Sequence, residues 1–330
     1  MTLRSLAKRI LPKSLVYAIR WRAQPKTVEE HSRMSREQVE MWLGDRYAKD
    51  IGASLNLEAP RRYTEKIQWC KLHAMDATKS RLADKLAVRD WVAERVGDRY
   101  LIPLLGAWTD PDEIDFTQLP ESFVLKTNNG SGANIIVKDK AKLDEASARM
   151  QLRRWASMGF GWLLFEPQYL SIPPRIVGES YLCNADGSEI NDYKFLCFAG
   201  EPRFVRVDVD RHSNHSRIIF DAGWNIQPWN QGYYPAPLSV PKKPDMLEEM
   251  LSLARVLSAD FAHVRVDLYE VDGRIFFGEM TFTSGAGFER VIPDEYDYVL
   301  GDMWDLEREP RCEFPYAAGV RVLAHEYSPI

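Results

Sequence analysis

The chain has 330 residues, of which 45% are hydrophobic and 28% are charged, and its formal net charge is −5. These values are typical of a globular protein with two or three packed lobes, and the acidic balance argues against a general nucleic-acid binder. The four scattered cysteines have no zinc-site spacing and indicate a reducing compartment, so we expect a cytoplasmic protein.

The first 26 residues carry seven basic side chains and no acidic one. Leu3, Leu6 and Ile10 recur at helical spacing, which predicts a basic amphipathic segment. Two interpretations stay open: residues 1–22 lie on the anionic inner face of a membrane, or they pack on the body with their charges in water. No apolar run is long enough for a membrane span, and a secretory signal pattern is missing.

Residues 27–120 are predicted to be mainly helical. Ser35 has the character of a helix cap, because Gln38 follows three residues later. The apolar periodicity of residues 80–97 predicts one continuous helix that ends at Gly97, with Lys85 beside its apolar face. Residues 100–108 are apolar enough to form a strand.

Residues 123–138 predict two strands joined by a polar, glycine-rich loop. Gly130 and Gly132 let backbone N–H groups approach an anion closely, and Lys126 supplies a positive charge at the end of the first strand. The spacing is neither that of a Walker A loop nor that of a dinucleotide-binding loop. An ordinary turn is the alternative interpretation.

Further strands are predicted over residues 175–182, 192–198 and 203–210, and an amphipathic helix over 245–257. Asp192 and Lys194 share one face of their strand. An ordered loop is expected over residues 224–244, and turns with one strand over 288–330.

Two alternating runs flank Asp272 and Gly273, which predicts a β-hairpin over residues 264–281. A two-residue loop would place Gly278 opposite Asp267 and send Asp267 and Glu279 to opposite faces. A three-residue loop over residues 271–273, with Gly273 in the left-handed conformation, would bring both carboxylates to one face. We expect the three-residue loop.

Arg265, Asp267 and Glu279 would then share one face of apolar strands, where unpartnered charges are costly to bury. A hard cation that bridges the two carboxylates, with substrate phosphates as further ligands, would account for them. The alternative is that this face is the solvated outer surface of a half-buried sheet.

Several motifs in this order resemble the ATP-grasp superfamily, and most closely its TupA-like branch, which is associated with teichuronopeptide and other surface-polysaccharide biosynthesis. The resemblance covers about residues 63–298, and the ordered set of motifs is more specific than any single one. The motifs are T-E-K-I-Q-W-C-K-L, L-A-D-K-L-A-V-R, Y-L-I-P-L-L-G-A-W, F-V-L-K-T-N-N-G-S-G, E-S-Y-L, D-Y-K-F-L-C-F-A-G and G-E-M-T-F-T-S-G-A-G-F.

The resemblance implies an α+β ATP-grasp fold in which two α+β lobes clasp ATP, preceded by a helical N-terminal region. The expected domains are a basic amphipathic segment over residues 1–26 and a mainly helical region over 27–120. A small lobe with the glycine hairpin is expected over 121–182, and a large lobe with the metal site over 183–330.

The resemblance also implies the residues that bind ATP and Mg²⁺. Those expected to contact the phosphates are Lys85, Lys126, Asn129, Gly130, Ser131, Gly132 and Lys194. Those expected at the adenine and the ribose are Glu179, Tyr181, Leu182 and Asp192. Asp267 and Glu279 are the implied metal ligands; Thr281 stands where many members have an asparagine, which puts the second metal in question. Arg265 matches an arginine that steadies the acyl phosphate, so the implied catalytic residues are Arg265, Lys126, Asp267 and Glu279.

The implied activity is ATP- and Mg²⁺-dependent formation of an amide through an acyl phosphate. The expected partners are a small-molecule or glycan carboxylate, for which a uronic acid of a surface polysaccharide is a candidate, and an amino acid or another amine. Nucleic acid is not an expected partner, and the oligomeric state is left open. A sugar kinase that uses the same ATP site and a glycosyltransferase of polysaccharide assembly are the two alternatives.

Overall fold

The computed structural model describes residues 24–187, 190–209, 215–314 and 316. The predicted membrane-contacting segment, residues 1–22, lies outside them. Eight helices are labelled here: α1 Arg36–Ile51, α2 Tyr63–His73, α3 Ala77–Ala83, α4 Val88–Val96, α5 Glu145–Ala156, α6 Phe160–Leu163, α7 Leu247–Ser258 and α8 Glu295–Asp302. Within these residues, no helix has the length and apolar character that a membrane span requires.

The N-terminal helices show where sequence signals act and where tertiary contacts override them. The predicted capping box is present: Ser35 Oγ accepts from the Gln38 amide, and the Gln38 side chain accepts from the Ser35 amide. The single helix predicted over residues 80–97 is wrong, because the chain breaks between α3 and α4. In the break, Asp84 Oδ1 accepts from the Leu86 amide at 2.8 Å and from Asn128 Nδ2 at 2.9 Å.

The small lobe is built on a four-stranded antiparallel sheet of order β1-β4-β2-β3. Its strands are β1 Leu104–Trp108, β2 Phe123–Thr127, β3 Asn134–Val137 and β4 Ile176–Ser180. Helix α5 packs against it, and the shared core includes Phe123, Leu125, Leu152 and Trp155. This sheet takes its edge strand β1 from the region that the sequence assigned to residues 27–120.

The large lobe is built on a five-stranded antiparallel sheet of order β10-β9-β5-β6-β7. Its strands are β5 Asp192–Phe198, β6 Glu201–Val209, β7 Ser216–Asp221, β9 His263–Val271 and β10 Arg274–Thr281. One face is apolar, carries Phe195, Val205 and Val266, and packs on α7. The opposite face carries the charged residues. Successive side chains along each strand therefore point alternately to the apolar face and to the charged face.

A two-stranded sheet joins β8 Asn230–Gln231 to β11 Val291–Ile292. The C-terminal part differs from the prediction of turns and one strand, because α8 lies there. Asp297 of α8 accepts from the amide and the hydroxyl of Thr64 at the start of α2. These contacts join the N-terminal helices to the large lobe, and they explain why a short polar helix is stable there.

Candidate active site

The β9–β10 hairpin has a two-residue turn, not the predicted three-residue loop. Val271 pairs with Arg274, and Asp272 and Gly273 form the turn with φ of 48° and 72°. Such a pair of positive φ values is typical of the tight turn that matches the twist of a hairpin.

A β-bulge at Gly278 brings the two carboxylates to one face. Phe277 lies opposite Leu268, and Glu279 lies opposite Asp267, so Gly278 is the extra residue. A Cβ at Gly278 would lie 2.9 Å from the Tyr269 ring and 3.2 Å from the Asp267 carbonyl oxygen. The prediction that Asp267 and Glu279 share a face is confirmed, but the bulge causes it, and the two residues are directly opposed instead of diagonal.

Charged residues continue from this pair across the sheet. Glu279, Asp267, Lys194 and Arg206 are successive cross-strand neighbours on β10, β9, β5 and β6. The adjacent row on the same face contains Asp192, Asp208 and Arg217. All of them except Glu279 are buried, so the interpretation of this face as solvated outer surface is wrong.

Asp267 is the best-connected carboxylate of this face. Its Oδ1 accepts from Arg265 Nε at 2.6 Å, and its Oδ2 accepts from Arg265 Nη2 at 2.7 Å and from Lys194 Nζ at 3.0 Å. Burial would raise the pKa of Asp267, but the charges of Arg265 and Lys194 outweigh burial and hold the pKa well below its usual value. The carboxylate is therefore ionised at neutral pH.

Arg265 joins Asp267 to the rest of the cleft. Its Nη2 also donates to Glu279 Oε1 at 2.9 Å, and its Nη1 donates to Ser284 Oγ at 2.8 Å. The Thr281 hydroxyl donates to the same Glu279 oxygen at 3.1 Å. One guanidinium thus touches both carboxylates, as its planar fork of donors allows.

In the small lobe, Lys126 and Glu179 form an ion pair with Nζ and Oε2 2.6 Å apart. Arg89 Nη1 lies 3.2 Å from the other Glu179 oxygen. The Glu179 side chain on β4 therefore lies between two cations, Lys126 of β2 and Arg89 of α4. Asp192 is in turn paired with Lys194, which joins the predicted ribose and phosphate residues to the Asp267 network.

Lys85 lies in the break between α3 and α4 and donates to the Gly130 carbonyl of the glycine hairpin. Burial lowers the pKa of Lys85. The positive charge of Lys126 lowers it further, whereas the negative charge of Glu279 raises it. Gly130 is required at its position, because a Cβ there would lie 2.4 Å from the Phe160 ring. Asn129 is buried and donates to the Ala156 carbonyl at 3.4 Å.

The two remaining predicted adenine residues lie at the connection between the lobes. The Tyr181 ring is 5.6 Å from Lys138 Nζ, and Leu182 packs on the cluster of Ile102, Val271 and Phe276.

A cleft of about 420 Å³ lies between the two lobes. Ser131 and Gly132 line it from the glycine hairpin, and Arg265, Glu279 and Thr281 line it from the large sheet. The other lining residues are Gln24, Phe160, Leu163, Leu164, Glu166, Tyr169, Thr283, Gly285 and Ala286. The volume is within the range of small-ligand sites.

Sequence reasoning missed several charged residues around this cleft. Glu166 lies in a connection without periodicity, which gave no signal. Lys71 is fully buried on α2, and a lysine between apolar helix positions was its only signal. Arg206 and Arg217 alternate with apolar residues along β6 and β7, and that pattern could have been extended from Lys194.

Magnesium prefers oxygen ligands and keeps several waters or phosphate oxygens in its shell. Asp267 and Glu279 offer opposed carboxylates, and Thr281 adds a hydroxyl oxygen beside them. Among the residues that the structure describes, no group of three or more His, Cys, Asp or Glu side chains is placed to hold a metal ion. The donors therefore fit magnesium when phosphate oxygens complete the shell.

The sequence model of the TupA-like ATPgrasp family matches residues 65–305, which include both sheets and every residue that lines the cleft except Gln24. This chain belongs to that family. The α+β ATP-grasp fold inferred from the ordered motifs is thereby confirmed. No curated protein sequence matches the chain.

Solved structures that resemble the chain include a D-alanine–D-alanine ligase from Bacillus anthracis, with 17% identity and a TM-score of 0.41 over 72% of this chain and 71% of that one. The ATP-grasp ligase PsnB, complexed with a minimal precursor, has 10% identity and a TM-score of 0.37 over 63% and 54%. A phosphoribosylamine–glycine ligase from Thermotoga maritima has 11% identity and a TM-score of 0.37 over 68% and 52%.

Proposed function

We propose that this ATP-grasp protein is an ATP- and Mg²⁺-dependent carboxylate–amine ligase that acts through an acyl phosphate. The observation that carries the proposal is the cleft in which Ser131 and Gly132 face Arg265 and Glu279. A glycine hairpin with backbone donors opposite a buried arginine and carboxylates suits phosphoryl transfer, which depends mostly on positioning and charge.

The nucleotide would lie between the two lobes. Lys85, Lys126 and the glycine hairpin over residues 129–132 would hold the phosphates, together with Lys194 from the large sheet. Glu179, Tyr181 and Leu182 would contact the adenine, and Asp192 the ribose. The ion pairs of Lys126 with Glu179 and of Lys194 with Asp192 support this assignment, because they hold each lysine near the cleft before the nucleotide binds.

In the first step, an oxygen of the substrate carboxylate attacks the γ-phosphorus of ATP, and the bond from that phosphorus to the ADP oxygen breaks. In the second step, the nitrogen of the amine attacks the acyl carbon, the C–N bond forms, and the bond from carbon to the phosphate oxygen breaks. The amine proton leaves to solvent. Arg265 would stabilise the negative charge that develops on the carbonyl oxygen.

Asp267, Glu279 and Thr281 would hold magnesium, which supplies positive charge for the phosphate oxygens when it is bound. The chain itself keeps these ligands oriented. Arg265 and Lys194 hold the Asp267 carboxylate, and the bulge at Gly278 keeps Glu279 opposite it.

The proposed carboxylate substrate is a uronic acid of a surface polysaccharide or its precursor, and the proposed amine is an amino acid or amino alcohol. The association of the TupA-like family with surface polysaccharides supports this choice.

We further propose that residues 1–22 contact the inner face of the membrane. Removing them should lower binding to anionic vesicles and spare ATP turnover, and unchanged vesicle binding would contradict this.

The proposal is tested by ADP release with a panel of uronic acids and amines, followed by replacement of the amine with hydroxylamine. A ligase should form an acyl hydroxamate that depends on ATP and on the acid. The Glu279→Gln variant, whose side chain is half-exposed and should leave the fold intact, should form none. ADP release that yields a sugar phosphate and no hydroxamate would identify a kinase and overturn the ligase.

A further inference from the structure

The part of the cleft that Tyr169 and Thr283 line contains an unassigned carboxylate, Glu166. Its Oε1 accepts from the Thr283 hydroxyl at 2.7 Å, and Thr283 in turn accepts from Gln168 Nε2 at 2.6 Å. These two contacts fix the orientation of the carboxylate. No hydrogen bond from a described residue reaches its Oε2.

No cation among the described residues forms an ion pair with Glu166, and Lys71 is the cation with the largest effect on its pKa. Lys71 Nζ donates to Gln68 Oε1 at 3.0 Å, to the Leu164 carbonyl at 2.9 Å and to the Ala286 carbonyl at 2.5 Å. An ammonium group has three hydrogens, so these three oxygens use all of them. Lys71 acts on Glu166 only through its charge.

Two non-glycine residues beside this part of the cleft have a left-handed backbone. Phe165, directly before Glu166, has a φ of 53°, and Ala286, which lines the cleft, has a φ of 53°. The Phe165 ring is fully buried beside His31, Trp42 and Tyr316. Left-handed non-glycine residues each cost on the order of 1 kcal/mol and persist where packing imposes them, often at ligand sites.

We propose that Glu166 forms the subsite that binds the amine substrate in its ammonium form, from which one proton passes to solvent before the nitrogen attacks the acyl carbon. The inference rests on the proposed ligase function and adds the residue and the charge by which the amine is recognised. A carboxylate with one oxygen held by Thr283 has its other oxygen available for a charge-assisted hydrogen bond from a primary ammonium group. Glu279 lines the same cleft and adds negative charge.

The environment of Glu166 agrees with a cationic ligand. Burial raises the pKa of Glu166, while the Lys71 charge and the Thr283 hydroxyl lower it in part. A bound ammonium group would supply the cation that the desolvated carboxylate lacks. Tyr169, which also lines the cleft, and the aliphatic Leu163 and Leu164 would surround the carbon atoms of the amine.

The test is direct binding of ethanolamine to the full chain at pH 7.5, with ethylene glycol as the uncharged probe. The wild-type protein should bind ethanolamine and not ethylene glycol. Glu166→Gln should weaken ethanolamine binding at least tenfold. Thr283→Val should weaken it less, because the carboxylate keeps its charge and loses only its orientation.

Glu309→Gln is the matched control. Glu309 is a buried carboxylate outside the cleft, and its Oε2 lies 2.5 Å from Lys79 Nζ. Like Glu166→Gln, this variant removes a negative charge near a buried lysine. It should bind ethanolamine as the wild type does. Thermal melting of both variants shows whether they fold. Failure of the wild type to bind ethanolamine, equal binding of ethylene glycol, or wild-type affinity in Glu166→Gln would overturn the proposal.

A second measurement separates this proposal from the proposed function. Hydroxylamine is mostly uncharged at pH 7.5 and needs no carboxylate to bind it. In Glu166→Gln, hydroxamate formation should therefore fall much less than kcat/KM for ethanolamine. Loss of hydroxamate in Glu166→Gln would assign Glu166 to acid activation and overturn the subsite. Absence of hydroxamate with the wild type would overturn the ligase while the binding result still stands.

Discussion

The two lobes hold their charged residues in different ways. In the large sheet, Asp267 is 1% exposed and is paired with Arg265 and Lys194, which are also buried. On the side of the small lobe, two lysines are only partly buried: Lys126 on β2, and Lys85, which reaches the Gly130 carbonyl from the break between α3 and α4. The charges of the large lobe therefore belong to its folding core, whereas those of the small lobe can be changed with less effect on the fold.

The largest effects on turnover are expected at Asp267 and Glu279, the two carboxylates of the large sheet, which should differ in their effect on stability. Asp267→Asn and Glu279→Gln should both abolish ATP turnover, because a neutral amide cannot offset the charge of magnesium. Asp267→Asn should also lower the free energy of unfolding by about 3 kcal/mol or more, since Arg265 and Lys194 lose their buried partner. Glu279→Gln should unfold as the wild type does. Equal stability of the two variants, measured by urea unfolding, would contradict the distinction.

Lys126→Ala tests the small lobe. We expect turnover to fall by about 10²-fold, the scale of one lost contact with transition-state charge, and the ATP requirement to rise. Melting should change little, because Arg89 remains as a partner of Glu179. Lys126→Arg should not restore turnover, because a planar fork replaces a compact charge. Normal ATP binding and turnover in Lys126→Ala would show that the glycine hairpin is only a turn.

Two glycines of the β9–β10 hairpin should respond differently. Gly278→Val places atoms against the Tyr269 ring and the Asp267 carbonyl, so we expect the Asp267–Glu279 pairing to shift and turnover to fall roughly tenfold, the scale of a small misplacement. Gly273→Val has space around it but requires a positive φ, so it should cost about 1 kcal/mol of stability and little turnover. Steady-state kinetics and melting of both variants decide whether the bulge or the turn sets the register.

The remaining expected effect depends on pH and concerns Lys71, which lies between the lobes. Burial lowers the pKa of Lys71 to about 7, although Glu166 raises it. Between this value and the ordinary lysine pKa of about 10.4, the unfolded chain binds more protons than the folded one. Stability from this group therefore rises with pH over that range, by up to about 1 kcal/mol per unit. Lys71→Met should show a flatter pH dependence of the free energy of unfolding than the wild type.

Local sequence patterns predicted every strand of the two large sheets except β7, and both hairpins, because these depend on alternation and on turn residues. The three-residue loop was inferred from the need to bring Asp267 and Glu279 together, and the Gly278 bulge meets that need differently. A glycine inside a strand is a known sign of a bulge. The break at Asp84 depends on Asn128, which is distant in sequence, so periodicity alone gave one helix.

The same limit explains the missed site residues. Glu166 is held by Thr283 and follows a strained residue, and both features depend on packing between distant segments. Lys71 binds carbonyl oxygens of two distant segments, which no local pattern could indicate. Strand alternation placed Asp192 and Lys194 on one face, whereas the family resemblance implied their nucleotide-binding roles.

The bulge at Gly278 also determines how changes in chain length affect the hairpin. Phe277 already lies opposite Leu268, and Glu279 already lies opposite Asp267, so deleting Gly278 would leave both pairings in place and remove only the bend. A shorter chain thus preserves the opposed carboxylates, whereas a larger side chain at the same position disturbs them. Single-residue deletion is consequently the milder change here, and a related hairpin that lacks this residue can present the same pair of carboxylates.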